Sequence, residues 1–212
     1  MWPISLSRNA ARADDTRWIV LDVESSGLDA ARDRLLALAA VSVRHDGRRA
    51  WIDLGDSFEV VLNQPVDTQA PDKVNILVHG IGVAAQGCGV EPAAALRCFE
   101  CYVGHSPLLG FHVAFDRRLI DRAMQAVLGR RLRNLWLDIA DAAAVLRPEV
   151  AARTLDDWMG ACGIACMHRH QAAADALATA ELLLHLLPAA RAEGAADFRA
   201  LARLAARRRW LK

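Results

Sequence analysis

Residues 18–28 read "WIVLDVESSGL", an apolar, partly β-branched run that ends on two carboxylates one valine apart, Asp22 and Glu24. Side chains two apart on a strand point to the same face, so the two acids are held side by side. Like charges that close repel, and they resist burial unless a cation stands between them. A turn-prone Ser25-Ser26-Gly27 follows at once. Taken alone, Asp-x-Glu after an apolar strand also fits a surface strand end or a helix cap, so the remaining residues decide between these readings.

The chain has 212 residues, 54% of them hydrophobic, which suits one globular domain with ample core. Strands are expected at 17–23, 35–45, 50–55 and 57–63, with "DGRR" at 46–49 as a turn, so the opening third reads as an antiparallel meander. The segment 74–82 fits a short strand or a helical turn. Helical spacing begins after Pro92, "PLLGFHV" (107–113) reads as a buried strand, and 114–129 as a helix with a glycine stop. Further helices are expected over 138–149, 154–163 (with Thr154 as N-cap), 171–192 and 197–209. Strands first, then a strand alternating with helices, argue for an α/β layered domain around a mixed sheet.

No wholly apolar run reaches the roughly 18 residues that span a bilayer, and residues 1–15 read as a flexible arm without a signal peptide. The net charge of +1 excludes a general polycation. Arginines nevertheless gather at 117, 118, 122, 130, 131 and 133, and again at 203, 207, 208 and 209. These clusters fit either phosphate contacts or solvated helix faces. Five cysteines lack the spacing of a disulfide scaffold. Cys98, Cys101, Cys162 and Cys166, with His168 and His170, invite a zinc test, but Cys98 and Cys101 fall on an amphipathic helix where thiols serve as small core residues. Reduced thiols in a cytoplasmic protein are the expectation.

Two more acids bear on the opening pair. "GFHVAFD" sets Asp116 just after a second buried strand, and "HRHQAAADALATAEL" sets Asp175 in an alanine-rich helix with His170 five residues ahead. Singly, Asp116 fits a helix cap and Asp175 an exposed position. Together with Asp22 and Glu24 they read as an oxygen-only cage, which favours Mg²⁺ or Mn²⁺ over zinc. Two such ions about 4 Å apart activate a water and stabilise a leaving oxygen of a phosphodiester, and a neutral histidine takes the water's proton.

The motifs carry a resemblance. "DVESSGL" is similar to D-x-E-[TS]-[TS]-G-L, "HVAFD" to H-x-x-F-D, and "HQAAAD" to H-x4-D, the three motifs of the DEDDh branch of the DnaQ-like 3′–5′ exonucleases. That group includes the proofreading epsilon subunit of bacterial DNA polymerase III and ribonuclease T. "HGI" (79–81), "LWLDIADAAAVLRPE" and "TLDDWMGACGI" resemble intervening family segments, so the likeness runs from about residue 16 to 190 in order.

The resemblance implies a ribonuclease H-like three-layer α/β fold, with a mixed five-stranded sheet flanked by helices. The exonuclease domain would span 16–192 and a basic C-terminal helix 193–212. It implies two Mg²⁺ or Mn²⁺ ions held by Asp22, Glu24, Asp116 and Asp175, with His170 as general base and His168 as its rival. Ser25, Ser26, Gly27 and Leu28 would contact the terminal nucleotide, with His79 and Phe115 beside it. The implied reaction releases 5′-mononucleotides from a 3′ end, single-stranded DNA being the expected substrate and proofreading or repair the setting. RNA ends, or a non-catalytic module beside a polymerase, are the alternatives; a polymerase or a second copy of the chain are the expected protein partners, with no membrane. Phe111, Phe115 and Trp158 are candidate base-stacking residues, whereas Trp18, Trp51 and Trp136 are expected in the core.

Overall fold

The computed structural model of the chain describes residues 16–46, 48–63, 81 and 87–210. The arm at 1–15, the segment 74–80 and His79 lie outside these residues. Five strands form one sheet: β1 (Arg17–Ser25), β2 (Leu35–His45), β3 (Ala50–Val61), β4 (Leu108–Gly110) and β5 (Trp136–Asp138), in the order β3-β2-β1-β4-β5. β1, β2 and β3 pair antiparallel, and β1–β4 and β4–β5 pair parallel. Six α-helices are described: α1 (Pro92–Val103), α2 (Ala114–Leu128), α3 (Ile139–Leu146), α4 (Leu155–Cys162), α5 (Ala172–Ala192) and α6 (Phe198–Ala205). A 3₁₀ turn, Ala206–Trp210, follows α6. The architecture is the expected ribonuclease H-like α/β fold with a mixed five-stranded sheet.

Period-two alternation along β1 builds two cores, one on each face. Trp18 and Val20 join a cluster with α3, α4, α5 and α6, containing Trp158, Leu183, Leu186 and Leu201. Ile19, Leu21 and Val23 join the opposite cluster with α1 and α2, containing Phe99, Leu119 and Met124. Asp22 and Glu24 share the parity of Trp18 and Val20, so the alternation directs both carboxylates to the α5 face. Their partners across the ladder are small: Asp22 pairs with Ala39, and Glu24 with Ala37. A register irregularity between Glu24 and Ser25 then ends the regular ladder where the turn begins.

Several elements differ from expectation. The two strands expected at 50–55 and 57–63 are one strand, because Leu54, Gly55 and Asp56 bulge out of register between the pairs Ser42–Asp53 and Val41–Ser57. Asp56 within that bulge takes a fork from Arg17, Nε to Oδ2 at 2.6 Å and Nη2 to Oδ1 at 2.7 Å, which ties the edge strand across the sheet. β4 is three residues rather than seven. Gly110 ends it where an added Cβ would stand 2.8 Å from Val113 and 3.1 Å from the Leu21 carbonyl, so the chain must pass close under β1. Thr154 caps α4 as expected, in a reciprocal capping box with Asp157.

α5 is long and apolar enough by composition to cross a membrane, yet over half of that stretch is buried against the sheet. Its alanines let it lie close to β1 and β2. α6 docks through Phe198, Leu201 and Leu204 into the same core.

Trp158 is 1% exposed and Trp51 47% exposed, so the expected roles of these two tryptophans are reversed. Trp18 is buried as expected, and Trp136 is half-buried with the Arg117 guanidinium 5.9 Å above its ring. All five cysteines are free; Cys101 is exposed and Cys98 half-buried, so the α1 pair is not a core pair. Trp158→Ala should therefore destabilise the fold by about 3–5 kcal/mol in chemical denaturation, a cavity effect. Trp51→Ala should change stability by less than about 0.5 kcal/mol. Equal losses in the two variants would contradict this assignment.

Candidate active site

The fold gathers the four motif acids at one end of the sheet. Asp22 and Glu24 leave β1 on the α5 face. Asp116 sits in the first turn of α2, and Asp175 in the first turn of α5. Asp116 and Asp175 are 5% and 7% exposed, so Asp175 does not take the exposed position that its sequence context also allows. Val113 is the N-cap of α2, with no side-chain cap bond, so Asp116 is not the cap either.

Backbone donors support three of these acids. His170 N–H donates to Asp175 Oδ2 at 3.2 Å, and the backbone N–H dipoles of Val23 and Ala172 favour the charged forms of Asp116 and Glu24. The His170 bond ties the α4–α5 loop to the site.

Electrostatics at this end are dominated by burial and repulsion. Burial, then the charges of Asp116, Glu24 and Asp175, hold the Asp22 carboxyl well above its ordinary value. Burial, then Asp175 and Asp116, push Glu24 up to about 8. Burial raises Asp116 to about 7, against the lowering effect of backbone N–H groups. Among the described residues, Arg169 answers this charge. Arg169 pairs through Nη1 with Asp175 Oδ1, and through Nε with Asp156 Oδ1 at 2.6 Å.

Asp175 thus accepts a hydrogen bond at Oδ2 and faces the Arg169 guanidinium, as an ion pair, at Oδ1. Consistent with that, no three His, Cys, Asp or Glu side chains among the described residues are arranged as a ready-made cage for an ion. The donor chemistry nevertheless fits a hard divalent cation. The acids supply only oxygens, and three of them carry the raised proton affinity that a nearby dication would reverse.

His170 and His168 are exposed on the α4–α5 loop. His170 holds a positive φ of 63°, and His112, just after β4, one of 54°. Non-glycine residues seldom adopt this region, and such strain concentrates at functional sites. His112 is a residue that motif reading left without a role. Its N–H donates to Asp138 Oδ1 at 3.0 Å, and its Nε2 lies 3.1 Å from the Arg153 carbonyl oxygen. It thereby ties β4, β5 and the approach to α4 together, four residues ahead of Asp116.

The turn after Glu24 is shaped from inside. Ser25 Oγ donates to the Gly27 carbonyl, and Ser26 Oγ to Asp33 Oδ1 at 3.1 Å while accepting from Arg34 N–H at 2.9 Å. Asp33 also accepts from Asp29 N–H at 2.7 Å. A Cβ on Gly27 would stand 2.5 Å from the Asp33 carboxylate, which accounts for the glycine. The serine hydroxyls therefore build the loop, and Leu28, 91% exposed, stands out from it. Asp33 went unread in the sequence because its partners become neighbours only once the turn closes. Phe115 is half-buried against the α1–α2 core, and Phe111 half-buried on the opposite side.

Carboxyls with raised folded-state proton affinity hold more protons folded than unfolded between the ordinary carboxylate range and about pH 8. Stability of the chelator-treated protein should therefore fall as pH rises from 5 to 8, and Glu24→Gln should flatten that fall. A melting temperature that rises across this window would contradict the repulsive cluster.

A family model described as exonuclease matches residues 19–183. A DNA polymerase III subunit epsilon-like protein of Rhodobacter capsulatus is 29% identical over 191 residues, covering 89% of this chain and 26% of that protein. A DNA polymerase III PolC-type of Latilactobacillus sakei is 28% identical over 178 residues, covering 82% of this chain and 11% of that protein. The chain thus spans about a quarter or less of the length of these curated relatives. Among solved structures, exonuclease I of E. coli in complex with a dT13 oligonucleotide superimposes with a TM-score of 0.70 at 20% identity, over 84% of this chain and 42% of that one. Motifs in order, the fold and the family match agree: the chain belongs to the DnaQ-like exonuclease family.

Proposed function

We propose that the protein is a metal-dependent 3′–5′ exonuclease that shortens single-stranded DNA and releases 5′-mononucleotides, in proofreading or repair. The convergence of Asp22, Glu24, Asp116 and Asp175 at one sheet end carries this reading, since four acids repelling one another there have no structural use without a cation. Asp22, Glu24, Asp116 and Asp175 would hold two Mg²⁺ or Mn²⁺ ions, which when bound acidify water and neutralise charge on the phosphodiester. His170 accepts the proton of the attacking water at a ring nitrogen, from an exposed loop where the base can enter and leave the site. The water oxygen bonds to phosphorus, the bond to the 3′ oxygen breaks, and the shortened strand keeps a 3′ hydroxyl. The Ser25–Leu28 turn, braced by Asp33, offers its backbone and the Leu28 side chain to the terminal nucleotide. His79 is proposed beside that nucleotide from the family motif alone.

Relatives named for DNA polymerase III support a place beside a replicative polymerase. The oligonucleotide complexes of E. coli exonuclease I support single-stranded DNA as the substrate. Five free thiols suit the reducing cytoplasm.

Asp22→Ala and Asp175→Ala should each abolish Mn²⁺-dependent mononucleotide release from a labelled DNA oligonucleotide. Full activity in either variant would refute the assignment. His170→Ala should slow release by about 10²–10⁴-fold, the usual worth of a general base. His168→Ala should leave the rate within a few-fold of the parent, and the reverse order would make His168 the base. Matched RNA and DNA oligonucleotides test the sugar preference, and faster loss of RNA would overturn the DNA reading.

A further inference from the structure

Arg169 is absent from the family motifs, yet it makes the most intimate contact with the acid cluster. Its guanidinium spans two carboxylates on different elements, Asp156 in the first turn of α4 and Asp175 in the first turn of α5. Nε and Nη2 form a fork on Asp156 at 2.6 and 3.4 Å, while Nη1 meets Asp175 Oδ1. Arg169 Nη1 and Asp175 Oδ1 are both closed off from solvent and meet as an ion pair, without the geometry of a hydrogen bond. The charge also reaches Asp22 and Glu24, where it opposes the repulsion of the neighbouring acids.

The contact at Asp175 occupies an oxygen that the proposed ion needs. A guanidinium held by one carboxylate as an ion pair can be displaced by a dication that engages several carboxylates at once. The fork on Asp156 gives the arginine a second anchor, so it can leave Asp175 without leaving the loop. His170 is the next residue, and its own N–H is bonded to Asp175. Release of Arg169 from Asp175 therefore removes one of two ties that hold the segment of the proposed base against Asp175, leaving the His170 N–H bond.

We infer that Arg169 is a built-in counter-cation of the acid cluster, which holds Asp175 and the His170 segment closed until a divalent metal displaces it. The inference rests on the reading of Asp175 as a metal ligand. Loading the site then exchanges an internal cation for an external one, and metal affinity is set against the strength of the Arg169–Asp175 pair. This also explains why the acids do not stand ready as a cage. The arginine both offsets the repulsion within the cluster and obstructs it.

Direct Mn²⁺ binding, measured calorimetrically without nucleic acid, separates these effects. Arg169→Gln should bind Mn²⁺ about tenfold more tightly than the parent, since removing a buried positive charge beside Asp175 leaves its carboxylate free for the ion. The same variant should melt lower than the parent in chelator, and the gap should narrow in saturating Mn²⁺. Arg203→Ala, an exposed charge-matched control on α6, should change neither quantity. Unchanged or weaker Mn²⁺ binding by Arg169→Gln would overturn the inference while leaving the metal site intact. Absence of Mn²⁺ binding by the parent and the variant alike would overturn the metal reading itself. Should Arg169→Gln fail to fold, Mg²⁺ titration of the parent, followed by NMR of the arginine side-chain N–H groups, gives the same decision. The Arg169 Nη protons should lose their slowed exchange as Mg²⁺ binds, and retained protection at saturation would contradict displacement.

Discussion

The structure turns on mutual repulsion among four carboxylates at one end of its sheet. Asp22, Glu24, Asp116 and Asp175 come from three elements, and burial with like charge raises the proton affinity of three of them. Leaving such a cluster unanswered costs stability, because charges removed from water need partners. Much of the surrounding architecture serves to tolerate it. Alanines 37 and 39 across the ladder, and the alanines of α5, leave space where larger side chains would crowd the acids. Backbone N–H groups of Val23, Ala172 and His170 are aimed at three of the carboxylates. Arg169 supplies a positive charge beside Asp175.

Function follows from the same tension. A site that binds its cation weakly or through an intermediary can open and close; one that is perfectly satisfied cannot. The strained histidines at 112 and 170 both lie just ahead of a motif acid, one bracing the strand ends and one on the loop that would deliver a base. Rigid strands hold Asp22 and Glu24, whereas the groups proposed to move, Arg169 and His170, lie on a connection between helices. A division between fixed proposed ligands and a proposed base on a loop is what a hydrolytic cycle with repeated substrate entry would require.

How much of this was legible in the sequence depends on the range of the forces involved. β1, β2, the long α5 and the Thr154 cap are set by local alternation, apolar spacing and one side-chain bond, and each was readable from its own stretch. The four acids were readable because motif spacing encodes their elements, and strand parity alone sends Asp22 and Glu24 to one face. β5 was not, since three residues carry no period, and β3 looked like two strands because Gly55-Asp56 resembles a turn. Trp158 sits in a helix whose buried face only packing with α5 reveals, so its local sequence alone does not distinguish a core ring from a nucleotide-stacking one. The Asp33 brace, the His112 bridge and the Arg169 fork were invisible because each joins residues that only the tertiary structure makes neighbours.

Crystals of the protein grown with Mn²⁺, recorded at a wavelength where manganese scatters anomalously, test the central claim most directly. Two anomalous peaks among Asp22, Glu24, Asp116 and Asp175, with the Arg169 guanidinium withdrawn from Asp175, are the predicted result. Manganese absent from those carboxylates, with Arg169 still paired to Asp175 at saturating metal, would contradict it.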